Sequence, residues 1–153
     1  EKLEEIDLLI TTKTLLTETV SKIKEKDKMY NYKKIYIDDG GLGVGVFDPL
    51  LEDPQTKRKV EALNNSKRSL DWEANRRKKI FKEDLYANLL WMMENGKIRL
   101  VERPETFQSL KSIQAEYTDD GALKIFGSYS HITEALIRAA WSWKDKRLNV
   151  YMY

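Results

Sequence analysis

Two pairs of residues in this sequence have the types and spacing that divalent-metal chemistry requires. Asp38 and Asp39 lie between an apolar run and a glycine-rich turn, and His131 and Glu134 lie three residues apart near the start of a predicted helix. Carboxylate oxygens and a neutral imidazole can together hold one or two divalent ions. Such ions activate water and stabilise the leaving oxygen in phosphodiester cleavage. The sequence therefore contains a candidate site for metal-dependent hydrolysis.

The first pair stands at the tip of a predicted strand. The run Ile35-Tyr36-Ile37 is typical of a buried strand, and the glycines that follow the aspartates end it. Open α/β sheets place their chemistry outside the carboxyl ends of the strands. Because successive strand residues point to opposite faces, we expect Asp38 to face the site, with Asp39 assisting or facing solvent. Aspartates before glycine are also ordinary turn residues, so a purely structural role stays open.

The second pair contains the single histidine of the chain. Ser130 is a plausible N-cap, which puts His131 in the first turn of the last predicted helix. The positive end of a helix disfavours the imidazolium, and the neutral ring that remains suits a metal. Glu134 follows on the same helix face. A lone histidine is more often a capping or packing residue, and this alternative stays open as well.

The glycine series Gly41-x-Gly43-x-Gly45 does not indicate a nucleotide site. Its spacing differs from G-x-G-x-x-G, and two aspartates immediately before it would repel a pyrophosphate. The sequence also has no G-x-x-x-x-G-K-[ST] stretch, so it carries no P-loop ATPase motif.

Composition narrows the classes of protein that remain. A length of 153 residues fits one domain over 1–153, and the absence of cysteine excludes disulfides and thiolate metal sites. Oxygen-rich ligands favour magnesium or manganese. No apolar run is long enough to cross a membrane, and the first residues lack the pattern of a signal peptide. We therefore expect a globular chain that is neither secreted nor membrane-bound.

Basic residues are clustered although the net charge is only +2. The richest cluster spans residues 67–82 and includes four side chains predicted to lie on early turns of a helix: Arg76, Arg77, Lys79 and Lys82. Such a cluster can follow a phosphate backbone through counterion release. A solvated helix face explains it equally well.

The hydrophobic pattern alternates strands with helices. Helices are predicted over residues 14–26, 46–51, 73–94, 104–110 and 130–143, with Asp48 and Pro49 starting the second and Asn95-Gly96 ending the third. Strands are predicted over residues 3–10, 35–37, 60–63 and 98–101, in a hairpin over 114–127, and over 148–153, with a polar stretch at 27–32 and a loop at 64–71. This alternation predicts a layered α/β domain.

Four segments, in this order, make the chain resemble a known family. They are IYIDDGGLGVGVFDPLLED, LLWMMENGKIRL, SLKSIQAEYTDDGALKIFG and SHITEALIRAAW. In order and content they resemble the C-terminal nuclease domain of the large terminase subunit of tailed viruses, from about Thr14 onward. The resemblance implies an α/β, ribonuclease H-like fold with a mixed central sheet flanked by helices.

The resemblance also implies an activity and its site. Members of the family cut concatemeric double-stranded viral DNA during genome packaging, using two divalent ions, magnesium or manganese. The family's second catalytic carboxylate falls on Asp38. Its third metal-binding position falls on His131, with Glu134 as the next candidate. Implied partners are the ATPase domain of the same parent chain, the small terminase subunit and the portal, in the host cytoplasm during viral assembly.

One departure from the family concerns the first catalytic aspartate, which belongs on a strand upstream of the Thr14 helix. Asp7 is the only early candidate, and its context differs from that motif. We therefore expect this chain to be a fragment lacking its first strand or strands, with weak metal binding and cleavage. Two other functions stay open: a non-catalytic module that docks on DNA or the portal, and another ribonuclease H-like nuclease such as a junction resolvase.

Overall fold

The computed structural model describes residues 2–38, 40–63, 82–119, 121 and 123–148. In chain order the elements are β1 (Leu3–Glu4), α1 (Leu16–Tyr30), β2 (Ile35–Ile37), a 3-10 turn (Gly41–Gly43), α2 (Val44–Glu52), β3 (Val60–Ala62), α3 (Lys82–Glu94), β4 (Ile98–Arg99), α4 (Pro104–Lys111), β5 (Ile113–Tyr117), β6 (Leu123–Gly127) and α5 (His131–Leu148). No helix in these ranges has the length and apolar character needed to span a membrane.

The chain divides into two compact units. Thr11–Ile80 form one, named here the Asp38 unit. Glu1–Ile10 and Phe81–Tyr153 form the other, named the His131 unit. The two predicted halves of the site therefore belong to different units, and the prediction of a single domain over residues 1–153 stays a prediction.

The Asp38 unit is built around the parallel pair β2 and β3. Ile35 is paired with Val60 and Ile37 with Ala62, and α2 is part of the connection between the two strands. A small apolar core of Val20, Val46 and Leu50 joins α1 and α2, with Ile23, Ile37 and Val60 packed against it. This core supports the end of β2, and Asp38 immediately follows that end.

Helix α1 is longer than the sequence pattern predicted. It continues through Tyr30 and ends at Asn31, whose φ of 48° places it in the left-handed region. The prediction of a polar connector over residues 27–32 is therefore wrong for residues 27–30, which belong to the helix. Asp27 is helical and only 2 % exposed because its carboxylate is paired with Lys59, 2.9 Å away, and bonded by Gln55.

Helix α2 also starts earlier than predicted. The chain enters it through the 3-10 turn Gly41–Gly43, so the first helical turn precedes Asp48. Pro49 consequently lies inside the helix rather than at its first position. The predicted N-cap role of Asp48 is wrong for this reason.

Helices α3, α4 and α5 form the body of the His131 unit. The apolar spacing of α3 predicts one face of Leu85, Leu89 and Met92 shared with Tyr86, Leu90 and Met93. The first three are buried as predicted, whereas Leu90 and Met93 are exposed. Helix α3 ends where Gly96 adopts a φ of 60°, and the amide of Lys97 bonds the Met92 carbonyl at 2.7 Å, which confirms the predicted cap. The predicted start of this helix at Glu73 lies outside the described residues.

Helix α5 packs on both other helices. Its apolar spacing predicts a buried face of Ile132, Ala135, Leu136, Ala139 and Ala140, from which the structure differs. Ile132, Leu136 and Ala140 are buried as predicted, whereas Ala135 and Ala139 are exposed. Helix α5 also continues to Leu148, beyond the predicted end at Trp143. Of the predicted strand at 148–153, Leu148 is helical and residues 149–153 lie outside the described part of the chain.

The described strands pair two by two rather than in one continuous sheet. β1 pairs with β4 in parallel, and β5 with β6 as an antiparallel hairpin, which confirms the predicted hairpin. Together with β2 and β3 they make three two-stranded sheets within the described residues. Parallel and antiparallel pairing therefore both occur among the described strands.

Candidate metal and nucleic-acid site

Asp38 immediately follows β2, as the sequence predicted, and it is exposed to solvent. Its Oδ1 accepts a hydrogen bond from the backbone amide of Gly40 at 3.1 Å. This local bond is the Asx-turn geometry by which aspartate stabilises a chain reversal. It also fixes one oxygen toward the turn, so the side chain is oriented rather than freely rotating. Asp39 lies outside the described residues.

The glycine turn packs tightly against the backbone of Asp38. A Cβ atom on Gly43 would overlap the Asp38 carbonyl oxygen, so only glycine fits there with this backbone. A Cβ on Gly45 would instead meet the end of the Leu16 side chain, which can rotate away. Glycine at position 43 therefore lets the chain fold back against the strand end that carries the carboxylate.

His131 is the first residue of α5 and is exposed. The first turn of this helix is held by α4, because Ser109 Oγ accepts the backbone N–H of Thr133 at 3.0 Å. The same hydroxyl lies 2.8 Å from Thr133 Oγ1, and both side chains are buried. A residue from another helix thus caps α5 and fixes the position from which the imidazole projects.

Glu134, one turn along α5, is surrounded by donors. Tyr86 donates its hydroxyl to Oε1 at 2.7 Å, and Lys82 Nζ lies 3.0 Å from the same oxygen. Arg138 Nη1 lies 3.0 Å from Oε2 and bonds the Glu134 carbonyl oxygen at 2.6 Å. We call these four residues the Glu134 cluster. It joins α3 to α5 through a half-buried carboxylate with both oxygens engaged.

The environment of this cluster shifts the acidity of two groups. Burial raises the pKa of the Glu134 carboxyl group, but hydrogen bonds from Tyr86, Lys82 and Arg138 outweigh burial and hold this pKa below its ordinary value. Burial, together with the neighbouring Glu134 carboxylate, raises the pKa of Tyr86 well above its ordinary value. Glu134 is therefore anionic and Tyr86 a neutral donor near neutral pH.

The described side chains do not by themselves assemble a metal site. Among residues that the structure describes, no group of three or more histidine, aspartate or glutamate side chains is placed to hold an ion. With its present contacts Glu134 is not suited to be a metal ligand, because both of its carboxylate oxygens already face a cation or a hydroxyl group. Since Asp38 and His131 belong to different units, their convergence on one ion stays a prediction.

Of the four basic residues predicted to contact DNA, Lys82 is the one that the structure describes. It pairs with Glu134, and its ammonium lies 5.6 Å from the ring centroid of Tyr86. Arg76, Arg77 and Lys79 lie outside the described residues.

Sequence reasoning missed three of the residues that surround Glu134 and α5: Tyr86, Arg138 and Ser109. Arg138 follows Glu134 at a spacing of four, which marks a pair on one helix face, so this contact was detectable. Tyr86 lies 48 residues before its partner and Ser109 lies 24 before Thr133. No local pattern connects residues at these separations.

Comparison with known proteins identifies the class of this domain. Residues 13–140 match the family model described as the terminase RNaseH-like domain, which spans most of the chain and includes Asp38, His131 and Glu134. The chain belongs to this family, which confirms the resemblance in the sequence. A search of curated protein sequences finds no match.

Solved structures support the fold. The large terminase nuclease from thermophilic phage G20c, crystallised with bound magnesium, is similar with a TM-score of 0.63 at 18% identity, covering 83% of this chain and 61% of that one. The same nuclease with bound cobalt gives a TM-score of 0.62 at 16% identity, covering 88% and 64%. The predicted ribonuclease H-like α/β fold is thus confirmed. The present chain spans less than two thirds of the length of these structures.

Proposed function

We propose that this chain is part of a divalent-metal-dependent endonuclease domain that cuts concatemeric double-stranded DNA during viral genome packaging. The observation that carries the proposal is the family match over residues 13–140, which includes all the described candidate acids and the histidine. The similar solved structures are of a large terminase nuclease with bound magnesium and with bound cobalt. We therefore assign divalent ions as the cofactor. We propose magnesium or manganese, bound in a two-ion site.

Asp38, His131 and Asp39 are the residues we propose to hold metal, with Glu134 as a further catalytic-site acid. The ions, when bound, supply activated water and charge stabilisation at the leaving oxygen. The chain's own contribution is placement: the Gly40 amide orients the Asp38 carboxylate, and the Ser109 cap holds the first turn of α5. One hydrogen bond thus orients the Asp38 carboxylate and the other holds the backbone from which His131 projects.

The proposed DNA contacts are Arg76, Arg77, Lys79 and Lys82. Phosphate contacts of this kind give affinity that falls steeply with salt and carries little sequence information. The proposed partners are the ATPase domain of the parent chain, the small terminase subunit and the portal, and the proposed location is the host cytoplasm during assembly.

Plasmid nicking in manganese tests the proposal. The protein is the nuclease domain that contains this chain, compared with Asp38→Ala and His131→Ala, and with Asp48→Ala as an exposed acid of the same unit. We expect nicking by the parent domain and by Asp48→Ala, and a loss of at least about a hundredfold in the other two variants. Full activity in both site variants would refute the assignment.

A non-catalytic docking module is the second candidate. The ion pairs of Glu134 with Lys82 and Arg138 favour this second function, since they already neutralise the charge of the carboxylate. Salt-sensitive DNA binding without cleavage in manganese or magnesium would support this function over the first.

A further inference from the structure

Two tyrosine rings form a stacked pair at the C-terminal end of α1. The ring centroids of Tyr30 and Tyr32 lie 5.9 Å apart, and the ring planes are inclined by 26°. Residues two apart on a helix do not face each other, but Asn31 between them is left-handed and turns the chain. The backbone N–H of Tyr32 donates to Asp27 Oδ1 at 3.0 Å, which holds the turn in place. The pair is therefore formed in advance of any ligand.

This tyrosine pair can be reached from solvent and lies among lysines. Tyr30 is 38 % exposed, and Tyr32 is half-buried. The Lys26 ammonium lies 5.9 Å from the ring centroid of Tyr30, within the range of a cation–π contact. Residues 22–34 contain six lysines and two acids, and one of these acids, Asp27, is buried. Three of the six lysines form ion pairs with neighbouring acids, and two others are exposed: Lys28 and Lys33.

Aromatic rings next to ammonium groups are the combination that binds single-stranded nucleic acid. An unpaired base stacks on the ring, and lysines contact the phosphates beside it. The dipole of α1 accounts for lysines near its C-terminal end, but it does not account for a stacked pair of accessible rings among them. A duplex keeps the faces of its bases inside its own stack. The surface is therefore suited to unpaired bases rather than to the interior of a double helix.

We propose that Lys26, Tyr30 and Tyr32 bind single-stranded DNA, as at the frayed end of a cut duplex. The tyrosine pair takes an unpaired base, and the lysines around it take the phosphates. The surface lies wholly within the Asp38 unit and does not depend on the candidate metal site. This inference rests on the proposed function only in the choice of DNA over RNA.

Fluorescence anisotropy of a labelled thymidine oligonucleotide of about 12 nucleotides, titrated with the chain in EDTA, tests the proposal. Tyr30→Ala removes one ring of the pair, whereas Tyr30→Phe keeps it. Tyr117→Ala is the matched control, because Tyr117 is an exposed tyrosine on β5. We expect Tyr30→Ala to weaken binding about fivefold to a hundredfold, with Tyr30→Phe and Tyr117→Ala within about twofold of the unaltered chain.

An abasic oligonucleotide of the same length separates base stacking from phosphate binding. We expect the unaltered chain to bind it at least about fivefold more weakly than the thymidine oligonucleotide, and Tyr30→Ala to lose most of this difference. Circular dichroism of each variant shows that α1 persists. Equal affinity of the unaltered chain for the two oligonucleotides would overturn the inference, as would unchanged binding in Tyr30→Ala or no binding of the thymidine oligonucleotide. EDTA prevents cleavage, so a failure of the proposed nuclease function would appear separately, in the plasmid assay.

Discussion

Ser109 on α4 closes the first turn of α5 by accepting the backbone N–H of Thr133 at 3.0 Å. The bond is buried and comes from a different helix, so the orientation of α5 depends on packing between helices as well as on its own sequence. His131 and Glu134 both lie within the first turns of this helix. A change at Ser109 should therefore affect stability and the candidate site together.

Ser109→Ala is expected to lower the free energy of unfolding by about 1–2 kcal/mol, because an orphan amide of α5 and the Thr133 hydroxyl lose a buried partner. Urea denaturation measures the loss. Ser21→Ala is the matched control, since Ser21 is exposed and bonds a carbonyl within its own helix at 3.1 Å. Equal stability of the two variants would contradict the assigned role of Ser109.

Asp27→Asn is expected to destabilise the Asp38 unit by about 3 kcal/mol at pH 7. The substitution removes the charge that neutralises Lys59 at a position only 2 % exposed. Urea denaturation of the variant and of Asp48→Asn, an exposed aspartate of the same unit, gives the comparison. A loss no larger than that of Asp48→Asn would show that the buried pair contributes little.

The same aspartate predicts a dependence on pH. Burial raises the pKa of Asp27, but hydrogen bonds from Gln55 and Lys59 outweigh burial and hold the pKa below its ordinary value of 3.8. A pKa depressed by folding stabilises the native state above the unfolded pKa, and this contribution disappears as the pH falls through the folded pKa. The stability difference between the native chain and Asp27→Asn should therefore be constant from pH 7 to about 5 and shrink below about pH 4. A difference that stays constant down to pH 2 would contradict this origin.

Gly43→Ala is expected to cost at least about 2 kcal/mol, because the new Cβ would overlap the Asp38 carbonyl oxygen and force the backbone of the turn to move. Gly45→Ala is the matched control, since its Cβ would meet only the movable end of Leu16. Thermal unfolding of both variants, with plasmid nicking by the parent domain, measures the effect. We expect Gly43→Ala to lose stability and nicking together, and Gly45→Ala to remain close to the unaltered chain in both.

The parts of the fold that sequence could predict are those set by neighbours in the chain. The β-branched run Ile35–Ile37 and the glycine after Asn95 each act through local backbone preference, and both predictions are confirmed. Asp27 was misassigned because its partner Lys59 lies 32 residues away and cannot be found by periodicity. The same applies to the contact between Tyr86 and Glu134. Sequence identified candidate site residues, but their partners come from packing between helices.

Glu134→Ala is expected to lower the free energy of unfolding by about 3 kcal/mol in the absence of any metal. The substitution takes the carboxylate away from Arg138, whose side chain is 5 % exposed, and a buried charge that loses its counter-ion is costly. Glu61→Ala is the matched control, because Glu61 pairs with Lys34 at 2.8 Å where both side chains are 40 % or more exposed, and such pairs contribute about 0–1 kcal/mol. If Arg138 is the cause, the double variant Glu134→Ala with Arg138→Met should recover part of the loss, since no unbalanced charge then remains. Equal losses in Glu134→Ala and Glu61→Ala would mean that the cluster binds its carboxylate no more strongly than a surface pair does.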